Sequence, residues 1–384
     1  MVTNSVILDF GSEKITVLIG SKGANNTLRV AGKAEVPYAG FMFGDWIDRK
    51  NLPGVIAKAL NDAAKIAGAR IDKVYVGVPG EACALVTKEV NTVFNRKRKL
   101  KETDVFELHS QGEEFDPEAY EVINIQPVYY TIDNERRVIS PVGQVTARFG
   151  GVLSYFLADR AFTDDVKGVL LDMGVPEVEF VCSPLAEALL LIPDEKRDAT
   201  AVLIDVGYLT STVSVVRGDG MLSLSSFSMG GGNVTADLAT ALESPFSVAE
   251  ELPRKVVLTL DPSDDDAYEV TTPDGVAEFS TKLVNEIVSH RVLSVANTVN
   301  KCLAACEYEI PSYVTYMLTG GGISYIRGAK DVLGARIGRN VTVAVPPFPQ
   351  VNRPDASASY GLLDMAVKND SVEKKGFFAR LFRR

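Results

Sequence analysis

The sequence predicts an α/β protein in which two similar lobes face each other across a cleft, and three observations lead there. The first is a repeat: VILDFGSEKITVLIG near the start and AVLIDVGYLTSTVSVVRG near the middle share one layout. Each is a buried strand ending in Asp-x-Gly, a turn, and a second apolar strand, so Asp9 and Asp205 fall at the ends of equivalent strands. Duplication of such a unit implies two related halves with a crevice between them. The second is the alternation of short apolar runs with segments of helical spacing. The third is the strand TYMLTGGG, whose three glycines precede a helix.

Taken in order, the first forty residues read as a meander of SVILDFG, KITVLIGSKG and TLRVAGKAEVPY, with Gly and Asn at the turns. Val55, Ile56, Leu60, Ala63, Ala64 and Ala67 have the spacing of a helix over Leu52 to Ala67, and the strand KVYVGVPG follows. A more polar, irregular block spans Ala82 to Ala158, with the basic run NRKRKLK, a helix over Glu102 to Ser110, and strand-like alternation in EVINIQPVYYTID. Phe162 to Met173 is a predicted helix, VEFVCSP a strand and PLAEALLLI a helix. Three strands joined by tight turns come next, from Thr200 to the glycines after Met229. Helices are expected over Val234 to Leu242, Val248 to Leu252, Glu278 to Glu307, Ser324 to Leu333 and Ala356 to Lys368. The linker NDSVEKK then leads to the terminal segment.

Composition narrows the class. Apolar residues make up 46% and charged residues 23%, the balance of a folded protein and not of a disordered one. No run of eighteen uncharged apolar residues offers a transmembrane helix, and the N-terminal segment lacks a basic region ahead of its apolar run, so neither a spanning helix nor a signal peptide is expected. Cys83, Cys182, Cys302 and Cys306 have no framework spacing, and two histidines do not complete a zinc set; a cytosolic, disulfide-free chain is expected. Net charge is −10, which argues against nucleic acid as the main partner. Residues 374–384 alone hold five cations and no carboxylate, so the others carry −15. A basic end on an acidic chain suggests that the end has a partner of its own.

The motifs suggest chemistry. Two Asp-x-Gly hairpins facing each other can cradle a nucleotide's phosphates on free backbone N–H groups, with the aspartates contacting a hydrated Mg²⁺; each alone is also an ordinary hairpin turn. The run Gly320-Gly321-Gly322 lets backbone approach a flat ligand, or simply makes a tight strand–helix turn. The order of Asp-Phe-Gly-Ser-x-Lys, a second Asp-x-Gly hairpin and a Gly-Gly-Gly turn resembles the actin, Hsp70 and sugar-kinase superfamily. Within it the chain resembles the FtsA family of bacterial division proteins. VYVGVPG with the basic strand and KETDVFELH resembles that family's extra SHS2-type subdomain, QPVYYTIDNERRVISPVGQVTARF the segment closing it, and SPLAEALLLI and MGGGNVTADLATAL the helix and turn beside the second phosphate loop.

The resemblance implies a two-lobed, actin-like (ribonuclease-H-like, duplicated) α/β fold with an inserted small α+β subdomain and a C-terminal amphipathic helix. It divides the chain into lobe 1 over 1–81, 161–198 and 346–369, the insert over 82–160, lobe 2 over 199–345, and a linker and membrane-targeting helix over 370–384. It implies ATP with Mg²⁺ as the cofactor, on Asp9, Gly11, Ser12 and Lys14 of the first loop, Asp205, Gly207 and Thr210 of the second, and Gly320, Gly321 and Gly322 of the adenosine turn. Gly230, Gly231, Asn233 and Glu251 complete the expected set, and Asp9 and Asp205 would hold the metal through water. Departures from the family pattern are Tyr208 and Leu209 in place of glycines, Thr212 at an acidic position, and Pro253 in AEELP where a lysine is usual. They imply weakened ATP binding and no enzymatic role beyond a weak ATPase.

The terminal segment reads without the family. At about 100° per residue, Phe377, Phe378, Leu381 and Phe382 share an arc of roughly 140°, with Arg380, Arg383 and Arg384 opposite. Aromatics buried among headgroups and arginines on anionic lipid would satisfy both faces; a helix docked on the body or a solubilising tail are the alternatives. The cluster of Arg96, Lys97, Arg98, Lys99 and Lys101 reads as a solvated strand face, because no aromatic is interleaved for base stacking, or as a subunit contact. Glu187 either orders a water or ion beside the cleft or is an ordinary helix carboxylate. The resulting expectation is a self-assembling scaffold of bacterial division on the cytoplasmic side of the membrane at the septum. Its partners would be FtsZ, itself, anionic lipids and other division proteins. A PilM-like component of a pilus or secretion machine and a small-molecule kinase are the alternatives; the basic end disfavours the first and the altered second loop the other.

Overall fold

A computed structural model describes residues 4–23, 27–42, 44–133, 136–273 and 275–373. The chain opens with an antiparallel meander of β1 (Ser5–Phe10), β2 (Lys14–Lys22) and β3 (Leu28–Pro37), then a short ribbon of β4 (Phe41–Met42) and β5 (Asp45–Trp46). Helix α1 (Leu52–Ala67) buries Leu52, Ile56, Ala59, Leu60 and Ala63, and Gly68 ends it in the left-handed conformation at φ 59°. Strand β6 (Lys73–Val78) runs parallel to β1. The insert follows as β7 (Cys83–Lys99), α2 (Glu102–Ser110), β8 (Tyr120–Ile132), β9 (Arg136–Val138) and β10 (Val145–Asp159). Helix α3 (Arg160–Asp172), β11 (Glu177–Cys182), α4 (Ser183–Leu191) and α5 (Asp194–Asp198) complete the first pass.

The second half repeats the plan with β12 (Ala201–Val206), β13 (Ser211–Arg217), β14 (Gly220–Phe227), α6 (Gly231–Ala241) and α7 (Phe246–Ala249). A hairpin of β15 (Ala267–Thr272) and β16 (Gly275–Ser280) leads into α8 (Thr281–Ala304), then β17 (Thr315–Thr319), α9 (Ala329–Ile337), β18 (Val341–Val343) and α10 (Ser357–Glu373). The two large sheets have strand orders β11-β6-β1-β2-β3 and β14-β13-β12-β17-β18, the same topology twice. Their registers agree at the repeated motif. Asp9 pairs with Thr16 and Asp205 with Thr212, while Asp9 lies beside Gly77 and Asp205 beside Thr319 on the parallel neighbour. Central strands such as β1 and β12 are buried on both faces, which is why they read as unbroken apolar runs.

Several boundaries differ from the sequence reading. The block expected to be irregular is a regular four-stranded sheet, β7-β10-β8-β9. Its alternation is blurred because the base of the insert is covered by both lobes: Ile123, Phe156 and Ala158 join the lobe 1 core, Val128 and Val152 that of lobe 2. Ser154 Oγ donates to Met221 O at 2.7 Å and accepts from Met221 N at 3.0 Å. The helix expected from Glu278 starts at Thr281, capped by Ser280, and residues before it form the hairpin. The helix expected from Ser324 starts at Ala329, after Gly328 with φ 88°. Helix α6 starts at Gly231, and the helix over Val248 to Leu252 is instead α7 and a 3₁₀ turn at Leu252–Arg254.

Helix α10 returns to lobe 1, where Leu362, Leu363, Ala366 and Val367 pack with Ile7, Leu18 and Tyr75. Asp370 accepts from Ser5 Oγ at 2.5 Å and from Tyr75 OH at 2.6 Å, fixing the end of the helix at the edge of the sheet remote from the Asp-x-Gly turns. Among the described residues, no helix is long and apolar enough to cross a membrane. The expected lipid-binding residues Phe377, Phe378, Arg380, Leu381, Phe382, Arg383 and Arg384 lie outside the described residues.

Candidate nucleotide cleft

Each Asp-x-Gly turn is closed by its own hydrogen bond: Gly11 N donates to Lys14 O at 3.0 Å, and Gly207 N to Thr210 O at 2.9 Å. The shared register therefore carries Asp9 and Asp205 to the same place on the two sheets, facing one cleft of ≈ 410 Å³. Asp9, Gly11, Ser12, Lys14, Asp205, Gly207, Thr210, Gly231, Gly320 and Gly321 line it.

Gly230, Asn233, Glu251 and Gly322 are not among the lining residues, and each has a local reason. Asn233 Oδ1 accepts from Gly230 N at 2.8 Å and caps α6. A Cβ on Gly230 would stand 2.4 Å from Gly207 O, and one on Gly322 would stand 2.3 Å from the same oxygen. Their job is backbone packing behind the second loop, where Gly231 N also donates to Gly207 O and Gly322 N to Val206 O, at 2.9 and 2.6 Å. Glu251 is exposed, and its neighbour Glu250 lines the cleft.

Sequence reasoning missed Glu13, Glu250, Arg254, Tyr325, Arg353 and Asp355, all of which line the same space, as does Tyr208 of the altered second loop. Arg254 puts a cation one residue beyond Pro253, where the family's lysine is absent, and its guanidinium lies 5.6 Å from the ring centre of Tyr325. The 3₁₀ turn produces this placement, and no helical-period argument would have found it. Glu187, ambiguous in sequence, is buried on α4 and faces the cleft.

The electrostatics are dominated by buried carboxylates. Burial, and then the charge of Asp205, push the Asp9 carboxyl up to about 7, against a hydrogen bond from Ser183 and the charge of Lys14. Burial raises Asp205 to about 6. Glu187 is held well above the carboxylate range by burial and by both aspartates. The lining carries six carboxylates against three cations, Lys14, Arg254 and Arg353. Lys14 is paired with Glu35 at 2.8 Å, and Arg353 is bound to Asp355. A bare polyphosphate meets net negative charge here, whereas a divalent cation meets three carboxylates that burial has made costly to ionise. Among the described residues no three His, Cys, Asp or Glu side chains converge closely enough to ligate an ion directly.

The two loops also touch. Leu209 N donates to Ser12 Oγ at 3.0 Å, joining the first loop to the second across the cleft. Tyr208, where a glycine was expected, is pushed up to about 12 by burial and by the nearby charges of Glu250 and Glu13. The second loop thus commits one amide to the first loop and places a phenol beside two carboxylates.

Comparison with known proteins agrees with this architecture. The family model described as Cell division protein FtsA matches residues 202–361, and the model of the SHS2 domain inserted in FtsA matches residues 80–154; together they span more than half of the chain. FtsA of Bacillus subtilis is 22% identical over 381 residues, covering 97% of this chain and 86% of that protein. FtsA of Pseudomonas aeruginosa is 23% identical over 376 residues, covering 95% and 89%. Among solved structures, the PilM-PilN type IV pilus biogenesis complex matches with a TM-score of 0.61 at 17% identity, covering 94% of this chain and 98% of that one. MreB 5 of Spiroplasma citri bound to AMPPNP matches at 0.57 and 10% identity, covering 97% and 98%. These likenesses show the actin-like fold. With both lobe 2 and the insert matched by models specific to one family, and relatives of that family aligned along almost its whole length, the chain belongs to the FtsA family of cell division proteins.

Proposed function

We propose that the chain is a peripheral membrane scaffold of bacterial cell division, which links FtsZ filaments to the cytoplasmic face of the membrane at the septum and assembles with copies of itself. The observation that carries this reading is the terminal KKGFFARLFRR on an otherwise acidic chain of the FtsA family. Projected at helical spacing, its phenylalanines would fall on one face and its arginines away from them, which suits a headgroup layer, and a short peptide of this kind binds reversibly, so assembly would add avidity.

The cleft would hold ATP with Mg²⁺. Asp9 and Asp205 would take the hydrated ion, with Glu187 beside them, and Gly320 and Gly321 would flank the base. The ion's role is to neutralise phosphate charge next to those carboxylates. The Ser12–Leu209 bond, the Lys14–Glu35 pair and the Tyr208 side chain all compete with that occupancy, so weak binding is expected, with turnover below about 1 s⁻¹.

Co-sedimentation with vesicles containing anionic lipid tests the tether. Phe377→Glu/Phe378→Glu is expected to lower the bound fraction at least about tenfold, since two aromatics that would enter the headgroup layer become charged, and raised salt is expected to weaken the parent. If parent and variant both stay in solution, the terminal segment has another partner, and a PilM-like component recruited by a partner protein becomes the better reading.

A further inference from the structure

The insert ends in a second basic and apolar surface. Its sheet begins at the junction of the lobes, where Cys83 pairs with Ala158, and runs to Lys99 paired with Val145. Thirteen residues of β10, from Ala158 to Val145, at about 3.3 Å each place that far end roughly 40 Å from the junction, β7 covering the same span with a bulge between Val93 and Arg98. There, residues 93–101 and 136–148 contain eight cations and no carboxylate. Arg96, Lys97, Arg98, Lys99 and Lys101 come from β7 and the residues after it, Arg136 and Arg137 from β9, and Arg148 from β10; all eight are exposed. Two nearby carboxylates are already taken, Asp104 by Arg98 and Asp133 by Lys97 at 3.4 Å.

Exposed aliphatic side chains stand among these cations. Val93 is 72% exposed, Ile139 80% and Val145 59%. The register sets Val93 beside Arg148 and Val145 beside Lys99, so apolar and basic groups alternate over one end of the sheet. The loop of Val142 closes the same end, through Gly143 N to Leu100 O at 2.9 Å and Leu100 N to Gln144 O at 2.8 Å.

We propose that this end of the insert is a second lipid contact, which lies on the headgroups of an anionic membrane. Exposed cations suit a diffuse anionic layer, and isolated aliphatic side chains with no receiving pocket suit shallow entry between headgroups. A nucleic acid would use the cations but has no use for Val93, Ile139 or Val145. The composition also repeats that of residues 374–384, and these are two basic, apolar stretches in a chain of net charge −10. Much of the remaining surface is repelled by an anionic bilayer, so two separated contacts would fix how the chain lies on it.

The proposal rests on the reading of the chain as membrane-bound, and the experiment separates the two. Full-length protein is titrated with vesicles of 30% phosphatidylglycerol in phosphatidylcholine, beside the Phe377→Glu/Phe378→Glu variant and two variants of the insert. Arg96→Gln/Lys99→Gln/Arg148→Gln is expected to weaken binding at least about fivefold and to flatten its salt dependence. Val93→Ser/Ile139→Ser is expected to weaken it about two- to threefold with the salt dependence unchanged. Both should melt with the parent, because the side chains are solvent-exposed. Vesicle binding equal to the parent in both variants overturns the proposal, as does loss of self-association by sedimentation velocity with lipid binding intact, which would assign this end to a second copy. Failure of the terminal variant alone to change binding counts against the tether and leaves this contact standing.

Discussion

At pH 8 without divalent cations, Asp9→Asn is expected to be more stable than the parent by about 1–2 kcal/mol and to lack the stabilisation that Mg²⁺ is expected to give the parent. The sign follows from the shift. A carboxyl raised to about 7 in the fold keeps a proton that the unfolded chain releases near 4. Its contribution therefore favours the fold at low pH and is lost as pH rises through 7, where a charge must sit beside Asp205 and Glu187. At 1.36 kcal/mol per unit the shift corresponds to about 4 kcal/mol, and the discount to 1–2 reflects a cleft open to water. Asparagine is neutral, nearly isosteric, and still accepts from Ser183 Oγ. Thermal melts of parent and variant at pH 5 and pH 8, with and without Mg²⁺, should differ at pH 5 by only about a third of the gap at pH 8 without metal, where they separate by a few degrees, because the loss builds up between the unfolded value near 4 and the folded value of about 7. In the parent, Mg²⁺ should act more strongly as pH rises from 6 to 8, because the ion replaces protons on Asp9 and Asp205. A variant less stable than the parent at pH 8 in both conditions would remove the case for a cation site here.

That cleft was half legible in the sequence, and the division has a physical basis. The repeated strand–turn–strand units were visible because β1 and β12 are buried on both faces and end in Asp-x-Gly, so one local pattern fixes both the strand and the position of its carboxylate. Contributions from elsewhere were not visible. Glu250 and Arg254 arrive on a short helix and a 3₁₀ turn, whose spacing carries no periodic signal. The Ser12–Leu209 bond joins residues 197 apart, and only the approach of the lobes creates it. The insert escaped for a different reason: strands covered at one end by both lobes and exposed at the other show no single alternation, although β7 alone has 17 residues. The hairpin of β15 and β16 was hidden because it is short and packs on lobe 2 by one face alone, through Tyr268, Val270 and Phe279, directly ahead of the long helix. The glycine run shows the limit most clearly. Its composition left both ligand approach and a tight strand–helix turn open, and only the structure shows how closely Gly320 and Gly322 pack on neighbouring backbone.

Gly320→Ala should therefore damage the fold itself, by about 3–5 kcal/mol. Gly320 has φ 85°, a conformation costing an alanine about 1–2 kcal/mol. Its Cβ would also fall 2.1 Å from Asp205 Oδ1 and 2.4 Å from Val206 O. The carboxylate can swing into the cleft, but Val206 O cannot yield, because it ends β12 and already accepts from Gly322 N at 2.6 Å. Relief requires β12 and β17 to move apart at the centre of the lobe 2 sheet, where Ile204 and Leu318 are fully buried. Gly321→Ala is the control. It lines the same cleft with φ outside the left-handed region, and its Cβ would meet only Asp355 Cβ, at 2.9 Å, on a segment outside the sheet. If the glycines served only a ligand, both substitutions would leave the melting temperature alone and impair nucleotide binding equally. If Gly320 is held by the backbone behind it, its alanine variant should melt roughly 10 °C below the parent or fail to fold, and Gly321→Ala should stay within a few degrees. A Gly320→Ala protein melting with the parent would show that β12 and β17 yield where the packing says they cannot.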